Sequence, residues 1–101
     1  DFSFIAEEHL SHIFALMAKY KIKISLMQNS AISLALCLED KYKSIDDLNK
    51  ELQPIFNTEM VKNVSLFTVR NANLEDINKF YENKNILLEQ ISQKTIQVVI
   101  N

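Results

Sequence analysis

The sequence predicts a small α+β domain followed by part of a second. Residues 22–40 hold apolar residues alternating with polar ones on both sides of a polar turn, which gives two short strands. Stretches with helical spacing lead into that hairpin and out of it. The pattern also returns: Leu26-Met27-Gln28-Asn29-Ser30 followed by Leu34, Leu36 and Leu38 matches Leu88-Glu89-Gln90-Ile91-Ser92 followed by Ile96, Val98 and Ile100, 62 residues further on (Gln28 to Gln90).

In chain order, residues 1–6 (DFSFIA) alternate Phe2 and Phe4 with Ser3 and Ile5 and read as the tail of a strand lying mostly upstream. From residue 8 to about residue 21, Leu10, Ile13, Phe14 and Met17 make one stripe of an amphipathic helix, with Phe14 its largest core member. Glu7 and Glu8 in its first turn and Lys19 and Lys21 in its last suit the helix dipole. In the hairpin, Ile22, Ile24 and Leu26 alternate with Lys21, Lys23 and Ser25. Gln28-Asn29-Ser30 is the turn, and Ile32, Leu34, Leu36 and Leu38 alternate with Ser33, Ala35 and Cys37. Ser44 followed by Asp47 three residues on predicts a serine-capped helix carrying Ile45, Leu48, Leu52 and Ile55, ended near Gln53 by Pro54. Residues 63–70 (NVSLFTVR) suit a strand. Asn73 then caps a short helix through Tyr81, with Leu74, Ile77 and Tyr81 on one side. Strands at 85–91 and 95–100 close the chain around Ser92-Gln93-Lys94.

This order predicts the ferredoxin-like βαββαβ arrangement, an antiparallel sheet with both helices on one face. Residues 1–70 form the first module, its first strand largely missing upstream, and residues 71–101 a partial second.

Composition narrows the function. A net charge of −2 argues against a nucleic-acid binder, which needs a basic face. Lys19, Lys21, Lys23, Lys41 and Lys43 are interspersed with and followed by Glu39, Asp40, Asp46 and Asp47, a mixed solvated surface, and the strand 32–38 has no aromatic on which bases would stack. With no glycine, the glycine-rich phosphate loop of nucleotide sites is excluded. The single cysteine, Cys37, cannot form an internal disulfide and fits a core residue in a reducing cytoplasm. No apolar run approaches the ~20 residues that span a bilayer. A start at Asp1 rather than methionine suggests a piece of a longer protein. His9 and His12 lie one helical turn apart without a third ligand at motif spacing, and no acid–base pair or nucleophile triad is visible. No catalytic or metal-binding residue is predicted.

The stretch HLSHIFALMAKYKIKISLMQNSAISLAL resembles the first regulatory ACT module of aspartate kinases. The matching positions are Leu10, Ile13, Phe14, Met17, Ala18, Ile22, Ile24, Met27, Ser30, Ser33 and Leu34. LLEQISQKTIQVVI is similar to the closing strand pair of the second module. The resemblance implies a non-catalytic regulatory region that mediates feedback inhibition by lysine, or threonine, in aspartate-family amino-acid biosynthesis. It also implies a cytoplasmic homodimer through the ACT modules. ATP and magnesium would be needed only in a separate kinase domain, and no cofactor here. An ACT region of another amino-acid enzyme, or a dimerisation module alone, is the alternative. On this resemblance the helix start, Glu8, His9, Leu10 and Ser11, cradles the effector carboxylate with backbone N–H groups. Ser25, Met27, Gln28, Asn29 and Ser30 face its ammonium group and side chain. Two carboxylates of the lysine-sensitive pattern align with Ser25 and Ala31, which leaves threonine open beside lysine.

Overall fold

Helix α1 (Glu7–Lys19) is the first element of a computed structural model that describes residues 7–71 and 73–101. The expected strand tail at residues 1–6 lies outside the described residues. Two compact units divide the chain after Glu59.

In the first unit, α1 buries Ile13, Leu16 and Met17, spaced i, i+3, i+4. Phe14, expected in the core, is 38% exposed. One residue turns a helix by about 100°, so with Ile13 inward Phe14 swings toward solvent and Leu16 takes the inner position. Lys21 ends this segment in the left-handed region (φ 55). The Ile22 N–H then bonds the Met17 carbonyl at 2.9 Å, and the chain reverses into β1 (Lys23–Asn29).

Strand β1 pairs antiparallel with β2 (Leu34–Glu39). The register runs from Lys23↔Glu39 to Asn29↔Leu34 and is interrupted by a bulge at Ser25, between the pairs Ile24↔Leu38 and Leu26↔Cys37. A bulge sets two residues of one strand against one of the other and so reverses the alternation. Ile24 therefore joins Leu34, Leu36 and Leu38 on the face packed against the helices, while Leu26 and Cys37, both buried, share the opposite face. The turn also moves. Gln28 and Asn29, expected in it, are strand residues opposite Ala35 and Leu34. The turn is Ser30–Ser33, closed by the Ser30 N–H to the Ser33 carbonyl (2.9 Å), with the two hydroxyls 2.8 Å apart. Ile32, expected in the second strand, lies in this turn at 72% exposure.

Helix α2 (Ile45–Leu52) begins where expected, after Ser44, but Ser44 does not cap it. The Asp40 carboxylate does, accepting from the N–H groups of Ser44 (2.8 Å) and Ile45 (2.9 Å). The Ser44 hydroxyl donates instead to the Tyr20 carbonyl at 2.9 Å, tying the α2 start to the α1 end. Leu48 is 1% exposed and joins Ile13, Leu16, Met17 and Ile22 in the core, with Ile45, Leu52 and Phe56 around it. Full burial of a leucine contributes about 2–3 kcal/mol.

The second unit holds β3 (Ser65–Val69), α3 (Leu74–Tyr81), β4 (Ile86–Ser92) and β5 (Thr95–Ile100), with strand order β3-β5-β4, all antiparallel. Asn73 caps α3 as expected, its side-chain oxygen accepting from the Asp76 N–H at 2.9 Å. Phe80 meets Phe67 edge-on and the Tyr81 hydroxyl bonds Glu89, so α3 lies on the face of Phe67, Glu89 and fully buried Val98. The strand expected to close the first module is thus paired in the second unit, and the division after residue 59 differs from the boundary expected at residue 70. The described residues form an α+β structure of three helices with a two-stranded and a three-stranded antiparallel sheet.

The two hairpins repeat one another residue by residue. Ile24↔Leu38, Leu26↔Cys37, Met27↔Leu36, Gln28↔Ala35 and Asn29↔Leu34 return as Ile86↔Ile100, Leu88↔Val99, Glu89↔Val98, Gln90↔Gln97 and Ile91↔Ile96. Each position is displaced by 62 residues (Ile24 to Ile86). The bulge at Ser25 recurs at Leu87, and the left-handed residue Lys21 recurs as Asn83 (φ 59). The repeat legible in the sequence extends to the backbone.

Candidate functional site

The expected effector residues lie in two segments of the first unit, the start of α1 and the β1–β2 hairpin. Helix α1 spans 13 residues, ~20 Å, and β1 seven, ~23 Å. After the reversal at residues 20–22 the hairpin packs Ile24, Leu34, Leu36 and Leu38 on the core shared with α1 and α2, and α1 itself begins at Glu7. Glu8 and Ser11 are exposed there, and Leu10 is half-buried. The His9 ring stands edge-on to Phe56, 5.7 Å between centroids. Glu7 and Glu8 make this helix start acidic, so its field favours a ligand's ammonium over its carboxylate.

Strand alternation divides the hairpin half of the site. Met27 and Asn29 lie opposite Leu36 and Leu34, on the helix side. Gln28, opposite Ala35, lies on the other face with Leu26 and Cys37. Ser25 is the bulged residue, and Ser30 is bonded within its turn through Ser33. Gln28 does not share a face with Met27 and Asn29.

Asp40 and Glu51 serve the fold. Burial pushes the Asp40 carboxyl up, but the Ser44 and Ile45 amides outweigh it and hold the group below the usual carboxylate range. Glu51 accepts from Lys19 Nζ (2.8 Å) and from the Tyr20 hydroxyl, and both lower its pKa. Burial raises the Cys37 thiol, with Glu39 adding to the effect.

The second hairpin tip carries a hollow of about 180 Å³ lined by Gln90, Ile91, Ser92, Thr95 and Gln97. Gln90 pairs with Gln97 and Ser92 with Thr95, so these four share the sheet face opposite α3. The repeated Gln-x-Ser points to Gln90 and Ser92 in the sequence. Thr95 and Gln97 join them only through the strand register, which the repeat alone does not reveal.

No family model, curated protein or solved structure matches this chain. Its class rests on its own architecture, a small α+β chain that uses one helix–hairpin unit twice. No helix is long and apolar enough to cross a membrane among the described residues.

Proposed function

We propose that this chain is the regulatory, non-catalytic ACT region of an aspartate kinase, binding lysine or threonine and pairing with a second copy in the cytoplasm. The observation that carries this reading is the helix–hairpin unit repeated with identical register and an identically placed bulge, as expected of tandem modules. The second unit adds support. Its strand order β3-β5-β4 with α3 after β3 is the order of the first three strands of a ferredoxin-like fold. The effector lies between the α1 start and the first hairpin tip, its ammonium toward Glu7 and Glu8 and its side chain toward Met27, Asn29 and Ser30. An effector at a dimer interface shifts the population toward the arrangement it prefers and tightens dimerisation by linkage.

The split of Gln28 from Met27 and Asn29 favours a second reading, a dimerisation module that takes no effector. Calorimetric titration with lysine and with threonine, alongside sedimentation at matched concentrations, separates the two. Saturable binding of one amino acid with tighter self-association supports the effector-sensing reading. Self-association without binding of either leaves the dimerisation module.

A further inference from the structure

We infer that the exposed stripe of α1 centred on Phe14 is where a second copy of this chain docks, helix against helix and antiparallel about a two-fold axis. Glu7, Ser11, Phe14 and Ala18 follow one another at spacings of four, three and four residues. That spacing keeps returning to one side of an α-helix and is the seam spacing of paired helices. All four residues are exposed, while Ile13, Leu16 and Met17 face the core. Phe14 is not among the side chains packed on that core, so its ring is apolar surface left to water. Ser11 and Ala18 on either side of it are short, which lets a second helix approach beside the ring.

Charge fixes the occupant and its direction. Glu7 stands at one end of the stripe, and Lys21, three residues beyond Ala18, stands just past the other. Among the described residues neither has an ion-pair partner: Lys19 is the lysine held by Glu51, and the Lys21 ammonium lies 5.8 Å from the Tyr42 ring centroid. Glu7 and Lys21 are each seven residues from Phe14, so in an antiparallel pair centred there position 7 of one copy meets position 21 of the other. A two-fold axis repeats every contact, so opposite charges meet at both ends and the two Phe14 side chains meet at the middle. A parallel pair would set like charge on like charge. The repeat offers a contrast within the molecule. Displaced by 62 residues, Phe14 becomes Asp76 and Ala18 becomes Phe80, which packs edge-on against Phe67, so the seam belongs to the first unit alone. This surface deepens the pairing with a second copy proposed above and rests on that part of the reading; it needs no effector.

The test is sedimentation of the full chain over a concentration series, for the natural sequence, for Glu7→Lys, for Lys21→Glu and for an equimolar mixture of these two variants. The natural sequence is expected to dimerise. Each single reversal places like charges together at both ends and weakens dimerisation about tenfold. The mixture restores it, because the basic ends of one variant then face the acidic ends of the other, and a variant that merely misfolds could not be restored in this way. Phe14→Ser weakens dimerisation without changing charge. A natural chain that stays monomeric overturns both this surface and the pairing itself. A dimer that none of these substitutions weakens, or a mixture no tighter than its separate components, overturns this surface and leaves the pairing standing.

Discussion

Asp40 does from the end of a strand what a capping serine does from within the first turn. Its two oxygens satisfy the first amides of α2, and Ser44 is released to hold the Tyr20 carbonyl. Asp40→Ala is therefore expected to lower the melting temperature more than Ser44→Ala, and the reverse order would restore serine as the cap. The pH dependence has a definite sign. Folding lowers the Asp40 pKa, so its contribution is complete above the unfolded carboxyl value near ~4 and fades as pH falls through the lower folded value. Asp40→Asn should flatten the acid limb of the stability profile and leave its neutral slope unchanged. Tyr81 behaves in the opposite sense. Burial and the bond to Glu89 push its hydroxyl up to about 12, so that contribution is intact at neutral pH and is lost in strong alkali. A phenolate absorbance titration should show a late phase near pH 12 that disappears in Tyr81→Phe.

At the level of elements, the absence of glycine has a cost. Lys21, Lys43, Asn63, Asn71, Asn83 and Gln93 all adopt positive φ, a conformation that costs most L-residues about 1–2 kcal/mol and asparagine less. Lys21 and Asn83 fill one repeated position at the turn after a helix, so the chain itself shows that asparagine fits there. Lys21→Asn should stabilise the protein by up to about 1 kcal/mol in denaturant unfolding, and destabilisation would mean that the lysine side chain is needed. Element boundaries were legible in the sequence wherever local signals and tertiary packing agree. Asn73 caps α3 because the cap bond is local, and β5 lies at 95–100 because its alternation is uninterrupted. The misplaced features depend on partners distant in sequence. The helix cap comes from Asp40, the face of Gln28 depends on the bulge at Ser25 and the register with β2, and Phe14 gives way to Leu16 because the packing of the helix fixes its rotation. The candidate site was legible as a polar tip, but the side chains that share a face there were not, because facing is a property of register.

For the whole molecule, one folding unit is used twice with different cores. The first hairpin is covered by α1 and α2 around Leu48, while the second is widened by β3 and centred on Val98, with α3 on one side. Leu48 belongs to the unit that ends at Glu59 and Val98 to the unit that begins at Met60. Removing buried atoms forfeits their transfer free energy and leaves a cavity, so Leu48→Ala should cost about 3 kcal/mol and Val98→Ala about 2 kcal/mol. Where each unit holds its own core, the loss should stay local. Hydrogen exchange in Leu48→Ala should quicken at amides of α1, β1, β2 and α2, and in Val98→Ala at β3, α3, β4 and β5, with the other unit retaining its protection. If either substitution instead accelerates exchange evenly along the chain, the two copies of the helix–hairpin unit unfold as one cooperative body, and the repeat is a record of duplication rather than a division of stability.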